Sequence, residues 1–182
     1  MKRLATCMFV LALTAGPASA VTLGVGAFGG MSIPIVQDDN GQGQTYGIRI
    51  PVGLTPIFTL EPYGSMTQGG DKEETINGIG LTRSGIEMQS YGANLLLTFG
   101  TGFQMFPFAG IGMTTSERAG LDQSSVQYNF GIGLGFAPFA LPLSIDIRGE
   151  YASVTDEDNS STARNYGNVI LGATYKFRFS GE

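Results

Sequence analysis

The segment VQYNFGIGLGF (residues 126–136) alternates between two kinds of side chain at every step. Its even-numbered positions are apolar or aromatic, whereas its odd-numbered positions are glutamine, asparagine or glycine. A period of two predicts a β-strand with one apolar face and one polar face. The segments LSIDIRGEY (residues 143–151) and NVILGATYKFRF (residues 168–179) repeat the pattern. We therefore expect strands of about ten residues along the chain.

Working outward from these three segments gives eight strands. Their predicted ranges are 22–33, 45–54, 57–67, 87–99, 103–114, 126–136, 143–151 and 168–179. Short turns at Thr55-Pro56, 100–102 and 138–142 alternate with longer polar links at 34–44, 68–86, 115–124 and 155–164. An even strand number, with short periplasmic turns and long extracellular loops, is typical of outer-membrane barrels. The sequence thus predicts an all-β fold: a closed eight-stranded antiparallel up-and-down transmembrane β-barrel.

The first twenty residues have the features of a cleaved signal peptide. Lys2 and Arg3 precede a short apolar run at residues 7–13, and Ala18-Ser19-Ala20 is a small-residue cleavage pattern. We expect residues 21–182 to form one barrel domain in the cell outer membrane, with both termini on the periplasmic side. No apolar segment in that range is long enough for a membrane-spanning helix, so only a closed barrel could cross a bilayer.

Charge and residue types exclude several classes of function. The ten basic residues less Lys2 and Arg3 leave eight against 15 acidic ones, so we expect no nucleic-acid partner. The chain has no histidine, and its one cysteine, Cys7, lies in the predicted signal peptide. Ser/His and Cys/His nucleophiles and histidine or thiolate metal sites are therefore excluded. We predict no enzyme activity, no catalytic or metal-binding residues and no cofactor.

The apolar face is predicted to point outward to lipid. A soluble lipocalin-type barrel would need a charged exterior, yet most carboxylates fall in the polar links and the chain has no tryptophan for the lipocalin Gly-x-Trp motif. Aromatic residues near the strand ends fit two interfacial girdles. The predicted girdle residues are Tyr46, Phe58, Phe99, Phe103, Tyr128, Phe136, Tyr151, Phe177 and Phe179. The facing of strand 103–114 stays open because the run Phe106-Pro107-Phe108 interrupts its alternation.

The polar face carries charges of both signs. If the first turn is centred on Thr55, Arg49 opposes Glu61 inside the barrel and Ile50 opposes Leu60 outside. Around the turn at 138–142, Gly131 and Gly133 fall near Arg148 and Asp146 and leave room for them. We expect a charge network in the lumen, which is either a structural plug or a gate for ions or water. Its predicted members are Arg49, Glu61, Asp146, Arg148, Glu150 and Lys176.

The last predicted strand, with Gly172 followed by Tyr175, Phe177 and Phe179, looks like the terminal signal of small outer-membrane barrels. The chain resembles the OmpA transmembrane-domain and OmpX-like family over residues 21–182. The resemblance implies recognition of these four residues by the barrel-assembly machinery, together with periplasmic chaperones and outer-membrane lipids, including lipopolysaccharide, as partners. It also implies a non-enzymatic role in envelope integrity or surface adhesion through the extracellular loops. The alternative is a narrow, porin-like conduit for ions or small solutes.

Overall fold

The computed structural model describes residues 22–35, 41–76, 79–83, 85–118, 121–138, 141–155 and 164–178. These residues form strands and their connections, and none of them lies in a helix that could cross a membrane. The eleven strands are β1 (Thr22–Ile35), β2 (Gly41–Arg49), β3 (Val52–Gly53), β4 (Phe58–Gly70), β5 (Lys72–Ile76), β6 (Ile79–Arg83), β7 (Glu87–Leu97), β8 (Phe103–Arg118), β9 (Leu121–Phe136), β10 (Leu143–Thr155) and β11 (Arg164–Arg178).

The large sheet closes on itself. Each strand is antiparallel to its neighbour in the order β11-β10-β9-β8-β7-β4-β2-β1, and β1 pairs again with β11. The short strand β3 continues β2 after an interruption at Ile50-Pro51 and lies between β1 and β4. Counting β2 and β3 as one stave gives eight staves. The predicted eight-stranded antiparallel barrel is confirmed.

The outer face of the barrel is apolar. Ile132, Leu134 and Leu171 are 51%, 58% and 63% exposed, and their neighbours in sequence point inward. For β8 the sequence did not show which side chains point inward, and the structure shows the same alternation as in the other strands. Phe106 and Phe108 are 5% exposed and lie inside, whereas Pro107 faces outward. The pleat of β8 is thus set by its ladders with β7 and β9, although its own sequence does not alternate cleanly.

The turn between β3 and β4 corrects the predicted pairing. It spans residues 54–57, and Thr55 Oγ1 accepts hydrogen bonds from the backbone N–H groups of Ile57 (3.3 Å) and Phe58 (2.9 Å). This longer turn moves the register by two residues. Arg49 therefore opposes Tyr63, not Glu61, and Leu60 opposes Val52, not Ile50. A shift of two keeps every side chain on its predicted face.

The pairing across the β9–β10 turn is corrected by the same two residues. Gly133 opposes Arg148 and Gly135 opposes Asp146. The turn between β7 and β8 lies where it was predicted, and Gly100 and Gly102 adopt φ angles of 96° and 80° there. Glycine suits both positions because side chains with a Cβ rarely adopt positive φ.

Two of the predicted loops contain strands. Part of the 68–86 link forms the antiparallel hairpin β5–β6, which is separate from the barrel sheet. The 115–124 link is mostly an extension of β8 and β9, which pair as far as Arg118 and Leu121. We call this end of the barrel the loop side and the end with the 54–57 and 98–102 turns the turn side. The predicted signal peptide, Phe179 and the acidic residues 38, 39 and 156–158 lie outside the described residues.

Closure between β1 and β11 can be tested by cross-linking. In a chain whose Cys7 is replaced by serine, we expect Ala27→Cys and Ala173→Cys to form a disulfide on mild oxidation, because these residues are direct partners. The readout is a mobility shift on a non-reducing gel. Ala27→Cys with Ala109→Cys is the control, since β8 does not pair with β1. Efficient cross-linking of the control pair, or none of the first pair, contradicts the closed topology.

Candidate functional site

Four charged side chains from three strands meet inside the barrel: Arg49, Glu61, Asp146 and Arg148, which we call the charge quartet. Arg148 donates two hydrogen bonds to Glu61, at 2.6 and 2.9 Å, and its Nε donates a third to Asp146 at 2.8 Å. Arg49 donates to both carboxylate oxygens of Asp146, and its Nε lies 3.8 Å from Glu61 Oε2. Each arginine thus interacts with both carboxylates.

The quartet is buried and carries no net charge. Its members are between 1% and 9% exposed. Taking four charges out of water is costly, and the cost is offset only where each is paired and hydrogen-bonded, as it is here. The planar guanidinium groups suit this arrangement because each presents donors in a fork that matches a carboxylate.

The surroundings of the quartet hold both arginines in place. Arg49 Nε also donates to Thr174 Oγ1 at 3.2 Å. The guanidinium carbon of Arg148 lies 5.0 Å from the ring centre of Phe106 and 5.6 Å from that of Phe108, within cation–π range. The wall residues that lie against these bulky groups are glycines. A Cβ on Gly172 would collide with the Arg49 guanidinium, and one on Gly133 would collide with the Phe106 ring.

Two of the six predicted network residues lie apart from the quartet. Glu150 is one inward position further toward the loop side on β10, where it accepts hydrogen bonds from Asn168 (2.9 Å) and Asn129 (3.5 Å). Lys176 lines a cavity on the turn side. Within the described part of the chain, no ion pair joins Glu150 to the quartet. The predicted lumen network did not include Phe106 and Phe108, because the sequence did not show which way their side chains point.

The quartet separates two interior cavities. The loop-side cavity has a volume of about 40 Å³ and the turn-side cavity about 90 Å³. Glu61 and Arg148 line both of them, so the two cavities meet at the quartet. Beyond the loop-side cavity the interior becomes apolar, with a buried cluster formed by Ile86, Met88, Ala152, Val154 and Tyr166.

Comparison with known families identifies the architecture. Residues 5–177 match the outer membrane protein beta-barrel domain family. The chain belongs to this family. It is therefore an outer-membrane β-barrel protein, and its exposed apolar face is the surface that contacts the lipid of that membrane.

Solved structures of small barrels of this kind share the fold. Neisserial surface protein A is 14% identical, with a TM-score of 0.64 over 89% of this chain and 100% of that one. The N-terminal barrel domain of Pseudomonas aeruginosa OprF is 14% identical, with a TM-score of 0.56 over 88% and 100%. Yersinia pestis Ail in a phospholipid bilayer nanodisc is 16% identical, with a TM-score of 0.52 over 85% and 99%. At such identities the likeness is one of fold. No curated protein matches the sequence.

The eight predicted girdle residues that the structure describes lie on the outer face of this barrel. Tyr46, Phe58, Phe99, Phe103, Tyr128, Phe136 and Phe177 are exposed, and Tyr151 is half-buried. Several of the outer aromatic rings touch across or along strands: Phe103 with Phe136 at 4.8 Å, Phe130 with Tyr151 at 5.0 Å and Tyr175 with Phe177 at 5.1 Å between centroids. Tyr91, which the sequence analysis omitted, is also exposed and faces outward near the loop side.

The stability of the quartet can be measured by unbalancing it. We expect Arg148→Ala to lower the free energy of unfolding by about 3–5 kcal/mol, because it leaves Glu61 without its main buried partner. The measurement is urea unfolding of the barrel in lipid vesicles. Replacing both Arg148 and Glu61 by methionine leaves the balanced pair Arg49–Asp146, so the double variant should be more stable than Arg148→Ala. Equal losses of unfolding free energy in the two variants would show that charge balance does not determine the stability of the quartet.

Gly172 allows a test that separates packing from assembly. We expect Gly172→Ala to lower the unfolding free energy of a barrel refolded in detergent by about 1–3 kcal/mol, because the new methyl group meets the Arg49 guanidinium. Gly149→Ala is the matched control, since a Cβ there meets nothing within 4 Å. A defect of Gly172→Ala that occurs only in cells, with normal refolding in detergent, would assign the glycine to the assembly signal alone.

Proposed function

We propose that this protein is a non-enzymatic outer-membrane barrel whose lumen is plugged and whose role is at the cell surface, in envelope integrity or adhesion. The observation that carries the proposal is the buried charge quartet. It crosses the interior between the two cavities, and every member is held by at least two of the others. A residue held in this way fills space and does not present a reactive group.

The dimensions of the interior support a plug. A polar cavity needs a volume of roughly 10–15 Å³ to hold one water molecule. The cavities of about 40 and 90 Å³ therefore hold a few waters each. Eight-stranded barrels enclose a space that side chains can nearly fill. For a solute to pass, Arg148 would have to leave three hydrogen bonds and two aromatic rings.

The loop side supports a surface role. The β5–β6 hairpin extends the chain beyond the barrel sheet there, and β8 and β9 pair as far as Arg118 and Leu121. We propose that this side is extracellular, that residues 1–20 are removed on export and that both termini are periplasmic. The barrel-assembly machinery, the periplasmic chaperones and lipopolysaccharide then remain the proposed partners. Neisserial surface protein A, which shares the fold, is named as a surface protein, in line with this proposal.

A gated conduit is the second candidate, because the two cavities meet at the quartet and share Glu61 and Arg148 in their walls. If the ion pairs of the quartet exchanged partners, one arrangement would keep the two cavities separate and the other would connect them. In this case the quartet would be a gate and not a plug.

Planar-bilayer recordings distinguish plug from gate. We expect the wild-type protein and Arg148→Ala both to be electrically silent, because Phe106, Phe108 and the remaining quartet residues still fill the lumen. Liposome swelling with small sugars should likewise be absent. Conductance in the wild type, or channels that appear in Arg148→Ala, would support the gate.

The surface role can be tested by removing the extra hairpin. In the source bacterium, a strain lacking this protein is complemented with the full chain or with a variant in which an Asn-Gly turn replaces residues 72–83. We expect the variant to insert as a heat-modifiable barrel, since β5–β6 is separate from the barrel sheet. If cells carrying the variant lose only their attachment, adhesion is a function of the hairpin. If the variant restores the cells' resistance to detergent, envelope integrity is a function of the barrel. If neither form alters attachment or detergent resistance, the proposal is wrong.

A further inference from the structure

The loop-side cavity is a chamber with a defined floor and roof. Its floor is formed by Arg49, Glu61 and Arg148 of the charge quartet, and its roof is the apolar cluster that includes Met88 and Tyr166. Between the floor and the roof, β4, β9, β10 and β11 each contribute inward-facing polar side chains to the wall. They include Tyr63, Gln127, Glu150 and Asn168.

Glu150 is the carboxylate of this wall that lies outside the quartet. Because two arginines balance two carboxylates within the quartet, its own charge is zero, and Glu150 is a third interior carboxylate. The hydrogen bonds it accepts come from the neutral amides of Asn168 and Asn129. Lys176 lies on the other side of the quartet, in the turn-side cavity. Within the described residues, no cationic side chain lies within 4 Å of the Glu150 carboxylate. Arg148 attracts this carboxylate from a greater distance, while its guanidinium is hydrogen-bonded to Glu61 and Asp146.

Two side-chain oxygen atoms of residues in the chamber wall are sealed from solvent and lack a hydrogen-bond partner among the described residues. They are the Oη of Tyr63 and the Oδ1 of Asn168. Asn129 is 2% exposed, and its Nδ2 donates to both Asn94 Oδ1 (2.7 Å) and Glu150. A buried polar group without a partner is costly, so unpartnered oxygens beside a buried carboxylate indicate a further occupant of the chamber, which either a water molecule or a cation can supply.

We propose that the chamber binds one small monovalent cation, Na⁺ or K⁺, beside Glu150. One positive charge neutralises the one carboxylate, and the phenol and amide oxygens complete an oxygen ligand set. A rotation of the Asn168 amide would turn its Oδ1 toward the ion. Divalent Ca²⁺ fits less well, because its sites use several carboxylates and six to eight ligands. The cavity volume of about 40 Å³ accommodates an ion and one or two waters and no larger organic cation.

The role goes beyond the proposed surface function: the ion would be a component of the folded barrel interior, captured when the strands close. A ligand that binds only the folded state stabilises it in proportion to its concentration. At 100 times the dissociation constant, the ratio of folded to unfolded protein should rise about 100-fold.

The test compares cations of different size during refolding. The barrel is refolded and then unfolded by urea in NaCl, in KCl and in N-methyl-D-glucamine chloride at equal ionic strength. We expect the urea midpoint to rise with Na⁺ or K⁺ concentration and not with the bulky cation. Coincident midpoints in all three salts overturn the proposal and leave water as the occupant of the chamber.

Variants locate the effect. Glu150→Gln keeps the size of the side chain but removes the charge, so the dependence on Na⁺ or K⁺ should disappear. Tyr63→Phe removes one ligand oxygen and should shift the dependence to higher salt. Glu87→Gln, which changes an exposed carboxylate on the outer face, is the control and should retain the wild-type dependence. A dependence that survives in Glu150→Gln overturns the site.

Diffraction provides a readout that does not need a variant to fold. Wild-type barrel refolded in RbCl is crystallised, and anomalous scattering at the rubidium absorption edge is measured. We expect a peak in the chamber against the Glu150 carboxylate. A map in which rubidium occupies only outer positions or none rejects the proposal.

Discussion

The pairing of β1 with β11 is the contact on which the rest of the structure depends. It joins the first and last described strands over all of β1 and all but the first residue of β11, from Thr22–Arg178 to Ile35–Asn165. In a bilayer an unpaired strand edge would leave N–H and C=O groups without partners, and each would cost several kcal/mol. Closure removes the edge and at the same time sets how wide the interior is.

A narrow interior determines what the inward side chains must do. Eight strands leave no water column in which long charged side chains could be solvated separately. Arg49, Glu61, Asp146 and Arg148 therefore neutralise one another, and the rings of Phe106 and Phe108 cover the remaining face of Arg148. The same narrowness leaves only small cavities and supports a plug over an open pore.

Glycine on the inner wall makes this packing possible. Phe106 lies against Gly133, Phe108 against Gly131, and the Arg49 guanidinium against Gly172. Each contact places a large group where even a methyl group would collide. The high glycine content of the chain is thus partly a consequence of the large side chains that fill its lumen.

The alternation along the chain, clearest at residues 126–136, was sufficient to predict the barrel strands and the inward or outward direction of most side chains, because facing is a local property with a period of two. Register is not local. The turn at residues 54–57 shifts the β3–β4 pairing by two, so Arg49 opposes Tyr63 and reaches Glu61 along a diagonal. The facing of Phe106 and Phe108 and the separation of Glu150 from the quartet were likewise decided only when distant strands paired. The sequence by itself determined which side chains of the regularly alternating strands enter the lumen. The tertiary structure decided which of them meet, since that depends on turn length and strand stagger.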